Sequence, residues 1–408
     1  MTQTAKSSGA PKQLWVLMAT VFVDMVGVLI VLPLLPYYAR DFEAGGMAVG
    51  LLTSTFAAAQ LLSAPYWGRM SDRYGRRPII LAGLLASAVG YLCFGFANSL
   101  WLLFATRLMQ GFGAGTIGVI QAYVSDSVPP KERAKALGWL TAAASAGVTL
   151  GPIIGSQLSA AFGQEAPGLF AAGLCLLNVF FAWKLLPESS VKRLSARRRS
   201  IVGSLALVFR EPKSPTASMV WIYALAMMAF MAMQAILAIY LMDRFGVTEK
   251  NIGWFYTYVG AVSVIMRAVL LGPILDRFGE SRAMRLGALC MTLGFLAIPL
   301  APNLLLFVPA TTLIPIGTAM LFPTSTSLLT QRAPSDEVGQ ILGVQQSFRG
   351  ISGILGPAWA GIVFDTIGVR APMLLSAVVM TLVTVFTFRV ATPEETSGSP
   401  EPSVSTAP

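Results

Sequence analysis

The sequence predicts an all-α membrane protein: twelve transmembrane helices arranged as two pseudo-symmetric six-helix bundles. Three observations predict it. Of 408 residues, 55% are hydrophobic and 12% charged, whereas a soluble domain carries about 25% charged residues, so the chain cannot cover itself with polar surface. Apolar stretches of about 20 residues recur along the length, the span of a membrane-crossing helix. They do not alternate and are too long for barrel strands, which leaves helices as the way to satisfy the backbone in lipid. Finally, landmarks repeat at a fixed offset. Gly68-Arg-Met-Ser-Asp-Arg-Tyr-Gly-Arg-Arg77 has a fainter copy in Gly272-Pro-Ile-Leu-Asp-Arg-Phe-Gly-Glu-Ser281, with Asp72 and Asp276, and Gly75 and Gly279, each 204 residues apart.

The elements follow in order. Residues 1–13 are polar and read as a cytoplasmic N-terminus. The first apolar segment, about 14–36, is too long for the core of a signal peptide and reads as a retained helix. Five more segments, roughly 47–67, 78–97, 100–124, 136–160 and 167–186, complete an N-terminal bundle over 14–186. Residues 187–214 are basic, with Lys192-Arg193 and Arg197-Arg198-Arg199, and read as a cytoplasmic linker. Segments near 215–242, 251–273, 282–301, 303–329, 338–363 and 370–390 form a C-terminal bundle over 215–390. The tail, 391–408, is rich in Pro, Ser and Glu and is expected to be disordered.

Basic residues orient the chain. Of 29, Arg40, Arg244, Lys250 and Arg370 fall in loops opposite the termini, and Arg107, Arg267 and Arg349 fall within segments; the other 22 share a side with both termini. The positive-inside rule makes that side the cytoplasm. This sorting explains the net charge of +10 without nucleic acid as a partner. The repeat extends further: Pro129 matches Pro334, Gly138 matches Gly343, Gly151-Pro152 matches Gly356-Pro357, and Pro167 matches Pro372, all offset by 205. Parallel repeats of this kind suit rocking of one half against the other around a central site.

Cys93, Cys175 and Cys290 stand singly in apolar segments and read as small hydrophobes. No histidine is present, which argues against a zinc site and removes the usual proton carrier at physiological pH. No metal or other cofactor is expected. Proton coupling then needs a carboxylate whose surroundings can neutralise it. Asp24, about ten residues into the first segment, is the only acid well inside a segment; Asp126 stands second. Arg107, at a similar level in the fourth segment, is the natural first partner for Asp24. Close approach would hold the carboxylate ionised, and separation would release it to take a proton. A purely structural salt bridge remains the alternative.

In the loop, Gly68 and Gly75 permit tight turns, and Arg76 can pair with Asp72 and Asp126. The positive-inside rule accounts equally for Arg73 and Arg77, but not for Asp72, which recurs as Asp276. Gly147, Gly151 and Gly155 give the fifth segment one smooth face, bent at Pro152. Cavity candidates are Gln60, Gln110, Gln234, Arg267, Gln345 and Arg349, with helix-packing hydrogen bonds or snorkelling as their alternatives. Arg267, four or five residues from the expected end of its segment, is the one for which snorkelling weighs most.

With these residues on the page, the chain resembles the major facilitator superfamily. Asp24-x2-Gly27-x5-Pro33-x2-Pro36 is similar to the first helix of tetracycline and multidrug proton antiporters. Arg107-Leu-Met-Gln-Gly-Phe-Gly-Ala-Gly115 is similar to their helix-four motif. Gly147-x3-Gly151-Pro152-x2-Gly155 resembles the helix-five motif of export by antiport, with Ser156 where a second glycine is usual. The resemblance implies a monomeric drug:proton antiporter among the lipids of a bacterial inner membrane, conferring antibiotic resistance, with small molecules and protons as its ligands. It also implies that Gly68, Asp72, Arg73, Gly75, Arg76, Asp126 and Asp276 belong to a cytoplasmic gate. Arg267 and Arg349 leave open an exporter of an organic anion, siderophore or lipid-like molecule. An intramembrane enzyme would need a catalytic pair that the lone Asp24 does not supply. A transporter-fold sensor would need a soluble domain, and no stretch outside the segments is long enough for one.

Overall fold

The computed structural model describes residues 12–188, 214–332 and 338–389. Most of the N-terminus, most of the 187–214 linker and the 391–408 tail lie outside them. Among the described residues there are helices and turns but no strands, and each predicted segment falls on a helix. Among the described residues, nine helical stretches are long and apolar enough to cross a membrane. One of these, Glu249–Leu300, is 52 residues long and turns at Gly279, whose φ of 73° no other residue type adopts comfortably. The predicted segments at 100–124 and 338–363 are helical but lie outside those nine.

In chain order the helices are α1 (Lys12–Val31), a 3-10 turn (Leu32–Leu34), α2 (Leu35–Asp41), α3 (Gly46–Tyr74), α4 (Arg76–Gly95), α5 (Leu100–Ala114), α6 (Ile117–Ser127), α7 (Arg133–Phe162) and α8 (Glu165–Leu185). The second half continues with α9 (Pro215–Phe245), α10 (Glu249–Ile265), a π turn (Met266–Leu270), α11 (Leu271–Leu300), α12 (Leu304–Arg332), α13 (Val338–Thr366) and α14 (Ala371–Arg389). Pro33 ends α1, because its ring blocks the regular ladder. The fourth predicted segment is two helices: glycines at 111, 113 and 115 weaken the helix, and it breaks at Gly115 and Thr116.

The repeat is visible in the backbone. Gly75 (φ 101°) separates α3 from α4, and Gly279 makes the equivalent turn 204 residues on. Gly163 (φ 89°) and Gly368 (φ 131°) form a second matched pair, 205 apart, at the other helix ends.

The chain divides into two compact units, and three helices are cut between them. Among the described residues, the first unit comprises 12–188, 234–261 and 353–369, and the second 214–233, 262–332, 338–352 and 370–389. In the first unit, α1 packs along α7 and α8. Gly147, Gly151 and Gly155 press directly on the backbone of α1 at Phe22, Val26, Leu29 and Ile30, with no space for a side chain. The smooth face expected from sequence therefore positions α1, the helix that carries Asp24. Ser156, the departure from the motif, donates its hydroxyl to the Glu249 carbonyl.

Candidate functional site

Arg107 is the largest fully buried side chain among the described residues, at 1% exposure. Ser99 caps the start of α5, and Arg107 lies two turns in. Gly111 and Gly113 then let α5 sink against Phe56 and Ala59 of α3 and Ser87 of α4. The guanidinium Nη1 donates to Gln110 Oε1 at 2.9 Å, and Gln110 Nε2 donates to the Gly90 carbonyl at 3.2 Å. The rings of Phe56 and Phe94 stand 5.9 and 5.8 Å from the guanidinium carbon, within cation–π range. Nε and Nη2 have no hydrogen-bond partner among the described residues. A buried cation in this state is costly and poised to attract negative charge.

Asp24 is 7% exposed. No hydrogen bond or ion pair joins it to Arg107 or to any other described residue. The expected pair is therefore not formed, for two reasons. Arg107 is held by Gln110 and two aromatic rings. Gly27, one turn from Asp24, leaves its face open to Tyr91, whose ring would lie 2.9 Å from a Cβ at that position. The charges of both Asp24 and Arg107 reach Tyr91. Sequence reasoning missed Tyr91, because a tyrosine in an apolar segment has no pattern to mark it. Close by, Thr20 donates to Asn178 Oδ1 at 3.2 Å, linking α1 to α8.

The loop motif gathers Asp72, Arg76 and Asp126. Arg76 Nη1 meets Asp72 Oδ1 at 2.8 Å, and Nε meets Asp126 Oδ2 at 3.4 Å. Nη1 also donates to Ser71 Oγ at 2.6 Å. Glu188, which the sequence did not single out, caps α4 by accepting from the backbone N–H groups of Arg76 at 2.8 Å and Arg77 at 3.4 Å. Arg77 donates to the Trp183 carbonyl, while Arg73 lies exposed over Tyr74. Nothing crowds Gly68. Asp276 is exposed, with no hydrogen bond or ion pair among the described residues. In the second repeat Glu280 takes the place of Arg76 and accepts from Gln331 at 3.0 Å and Ser327 at 2.8 Å. Gln331 is the repeat counterpart of Asp126, so the geometry persists with different chemistry.

The remaining cavity candidates separate. Gln60 Nε2 reaches the Ala114 carbonyl at 3.4 Å, and Gln110 is spent on Arg107 and Gly90. Gln234 is half-buried. In the second unit, Gln345 is 4% exposed and accepts from Thr326 at 3.2 Å. Arg267 lies in the π turn, and its helix runs on to Phe278 rather than ending near 273. It is thus twelve residues from the break at Gly279, not the four or five expected, and its side chain is exposed. Arg349 is exposed on α13, one turn beyond Gln345.

At the opposite end of the first unit is a cluster that the sequence did not reveal. Asp365 accepts from the backbone N–H groups of Gly46 and Met47, both at 2.8 Å, and so caps α3. Arg40 pairs with Asp243 at 2.7 Å, Tyr37 donates to the Val247 carbonyl at 2.8 Å, and Ser159 donates to Glu249 Oε2 at 3.2 Å. Gly50 and Gly361 allow α3 and α13 to meet backbone to backbone.

Relatives of the chain are numerous. The chain is 28% identical over 373 residues to "Multidrug resistance protein 2" of Bacillus subtilis (strain 168), covering 90% of this chain and 92% of that protein. It is 30% identical over 350 residues to "Tetracycline resistance protein, class C" of Escherichia coli, covering 84% and 87%. Among solved structures, a bacterial homologue of the human lysosomal transporter Spinster, inward-facing and occupied, superposes with a TM-score of 0.78 at 16% identity, covering 94% of this chain and 97% of that one. A profile of one family matches residues 17–357 and again 219–407. The second match begins within the other half, as the internal repeat requires. Helices, repeat and relatives agree, and the chain belongs to the Major Facilitator Superfamily.

Proposed function

We propose that this transporter exports small amphipathic, drug-like molecules in exchange for protons, by alternating access, from the inner membrane of a bacterium. Both termini would lie in the cytoplasm, and the monomer would be the working unit. The observation that carries this reading is the carboxyl group of Asp24: buried in an apolar helix, without hydrogen bond or counter-ion among the described residues, one turn from the Gly27 face that meets Tyr91 and in the same compact unit as the buried Arg107. Its proton occupancy depends on how dry the site is and how near a cation comes. Both change when a transporter opens to one side and then the other, so the group can take a proton on one side and lose it on the other. The relatives named for multidrug and tetracycline resistance support a drug-like cargo. The Asp72–Arg76–Asp126 cluster then serves as the cytoplasmic gate.

The test is reconstitution into liposomes with an imposed pH gradient. Vesicles that are acidic inside should accumulate tetracycline or a lipophilic dye. Asp24→Asn should lose gradient-driven accumulation while keeping downhill exchange. Accumulation that survives in Asp24→Asn removes Asp24 from this role.

A further inference from the structure

We propose that Arg267, Arg349, Tyr223 and Gln345 of the second unit form a binding site for the anionic head group, a carboxylate or sulfonate, of an amphiphilic molecule. That this molecule is the exported cargo rests on the transport reading above; the site itself does not.

Start from the cost. An arginine deep in a bilayer is unfavourable, and two in one place repel each other as well. Arg267 lies twelve residues before the turn at Gly279, and Arg349 lies eleven residues into α13 counted from Val338, the first residue described there. At 1.5 Å per residue those are about 16–18 Å. They come from different helices, and both lie within electrostatic range of Tyr223 and of each other. Tyr223 is 8% exposed.

No carboxylate among the described residues of the unit pairs with them. Its described acids are Asp276 and Glu280. Asp276 lies nine residues beyond Arg267 and makes no ion pair, and Glu280 is engaged by Ser327 and Gln331. Neither arginine has a hydrogen-bond or ion-pair partner among the described residues.

The surroundings are built for a ligand. Arg267 sits in a π turn, a local distortion that re-aims side chains and is frequent at functional sites. That turn packs on α12, whose Phe322 stacks edge-on against Tyr223 at 5.2 Å and lies 6.1 Å from Phe230. Gln345, one turn before Arg349 and therefore on its face, is almost wholly buried. Its oxygen is occupied by Thr326, while its Nε2 has no partner among the described residues. Two cations, an unspent amide N–H and a wall of aromatic rings suit a molecule with one oxyanion and one apolar body. Guanidinium groups match carboxylate geometry with paired hydrogen bonds.

The experiment compares three probes with one apolar body: pyrenebutyrate, pyrenebutanol and pyrenebutylammonium, titrated by fluorescence onto the full-length protein in nanodiscs. Pyrenebutyrate should bind roughly tenfold or more tighter than the alcohol, as charge-assisted hydrogen bonds imply, and tighter than the ammonium. Arg349→Gln and Arg267→Gln should each reduce that preference, and the double variant should abolish it. No preference over the alcohol in the parent overturns the proposal. So does a preference that survives the double variant in protein that melts like the parent. Should the Gln variants fail to fold, Arg267→Lys and Arg349→Lys carry the test: loss of the planar fork weakens pyrenebutyrate selectively, and unchanged affinity overturns the site. Asp24→Asn should keep the head-group preference whether or not proton-driven transport is lost, so the two readings fail separately.

Discussion

At the scale of single residues, the loop motif shows why position and chemistry must be judged apart. Arg76 holds Asp126 with Nε and Asp72 with Nη1. The Asp126 side chain is 3% exposed and that of Asp72 is 37% exposed, so the two pairs differ in weight: the outer one is screened by solvent, the inner one is not. Arg76→Ala should therefore destabilise the protein by about 1–3 kcal/mol, chiefly by leaving the Asp126 charge less compensated. Adding Asp126→Asn should recover part of the loss, and thermal unfolding in detergent measures both. In the second repeat Glu280 occupies the place of Arg76 but, among the described residues, bonds to the neutral groups of Ser327 and Gln331. Glu280→Gln should cost less, about 0.5–1.5 kcal/mol. An equal loss at both positions would show that burial, not charge, sets the scale. Glu188, which caps α4, lies too far along the chain from the motif for any spacing rule to have joined them.

At the scale of elements, glycine placement decides how close the helices lie. Gly155 of α7 rests on the Ile30 backbone, whereas nothing lies near Gly138 of the same helix. Gly155→Ala should destabilise by about 1–3 kcal/mol, because the neighbour is backbone and cannot rotate away. Gly138→Ala should be neutral or stabilise by about 0.5–1 kcal/mol, since alanine is the better helix former. A melting series on the two variants separates packing from propensity. The elements themselves were largely legible in the sequence. Apolar length located the helices, and the 204- and 205-residue offsets located equivalent turns, because membrane burial and a left-handed glycine each leave a local mark. What was not legible depended on partners far along the chain or on a local distortion. The break of the fourth segment at Gly115, the continuation of α10 and α11 through the π turn, and the packing of Tyr91 against Gly27, one turn from Asp24, are of this kind. The end of the helix that carries Arg267 was misplaced for the same reason: it was expected near 273, where Gly272 and Pro273 mimic one, yet the helix continues to the turn at Gly279.

At the scale of the whole molecule, the important fact is that α9, α10 and α13 are each divided between the two compact units. A repeat-based division would have cut the chain once, at the linker. Instead, 234–261 and 353–369 belong to the unit built by the first eight helices, and they join it through the polar cluster at the helix ends opposite Gly75. Asp365 is central to that cluster. Its carboxylate caps α3 across 319 residues of sequence, where the helix dipole and two free N–H groups favour a negative charge. If the protein alternates access as proposed, this contact must break whenever the outer side opens, and its strength biases how often that happens. Val49 lies one turn into α3, behind the cap, and is 1% exposed. With a cysteine at that position, Asp365→Ala should raise the rate of labelling by a membrane-impermeant maleimide added from outside, by about tenfold for a loss near 1.4 kcal/mol. Asp365→Asn, which can still accept hydrogen bonds but lacks the charge, should give an intermediate rate. Equal rates in all three proteins would mean that apolar contact between α3 and α13, through Gly50 and Gly361, holds the outer side shut without help from the carboxylate.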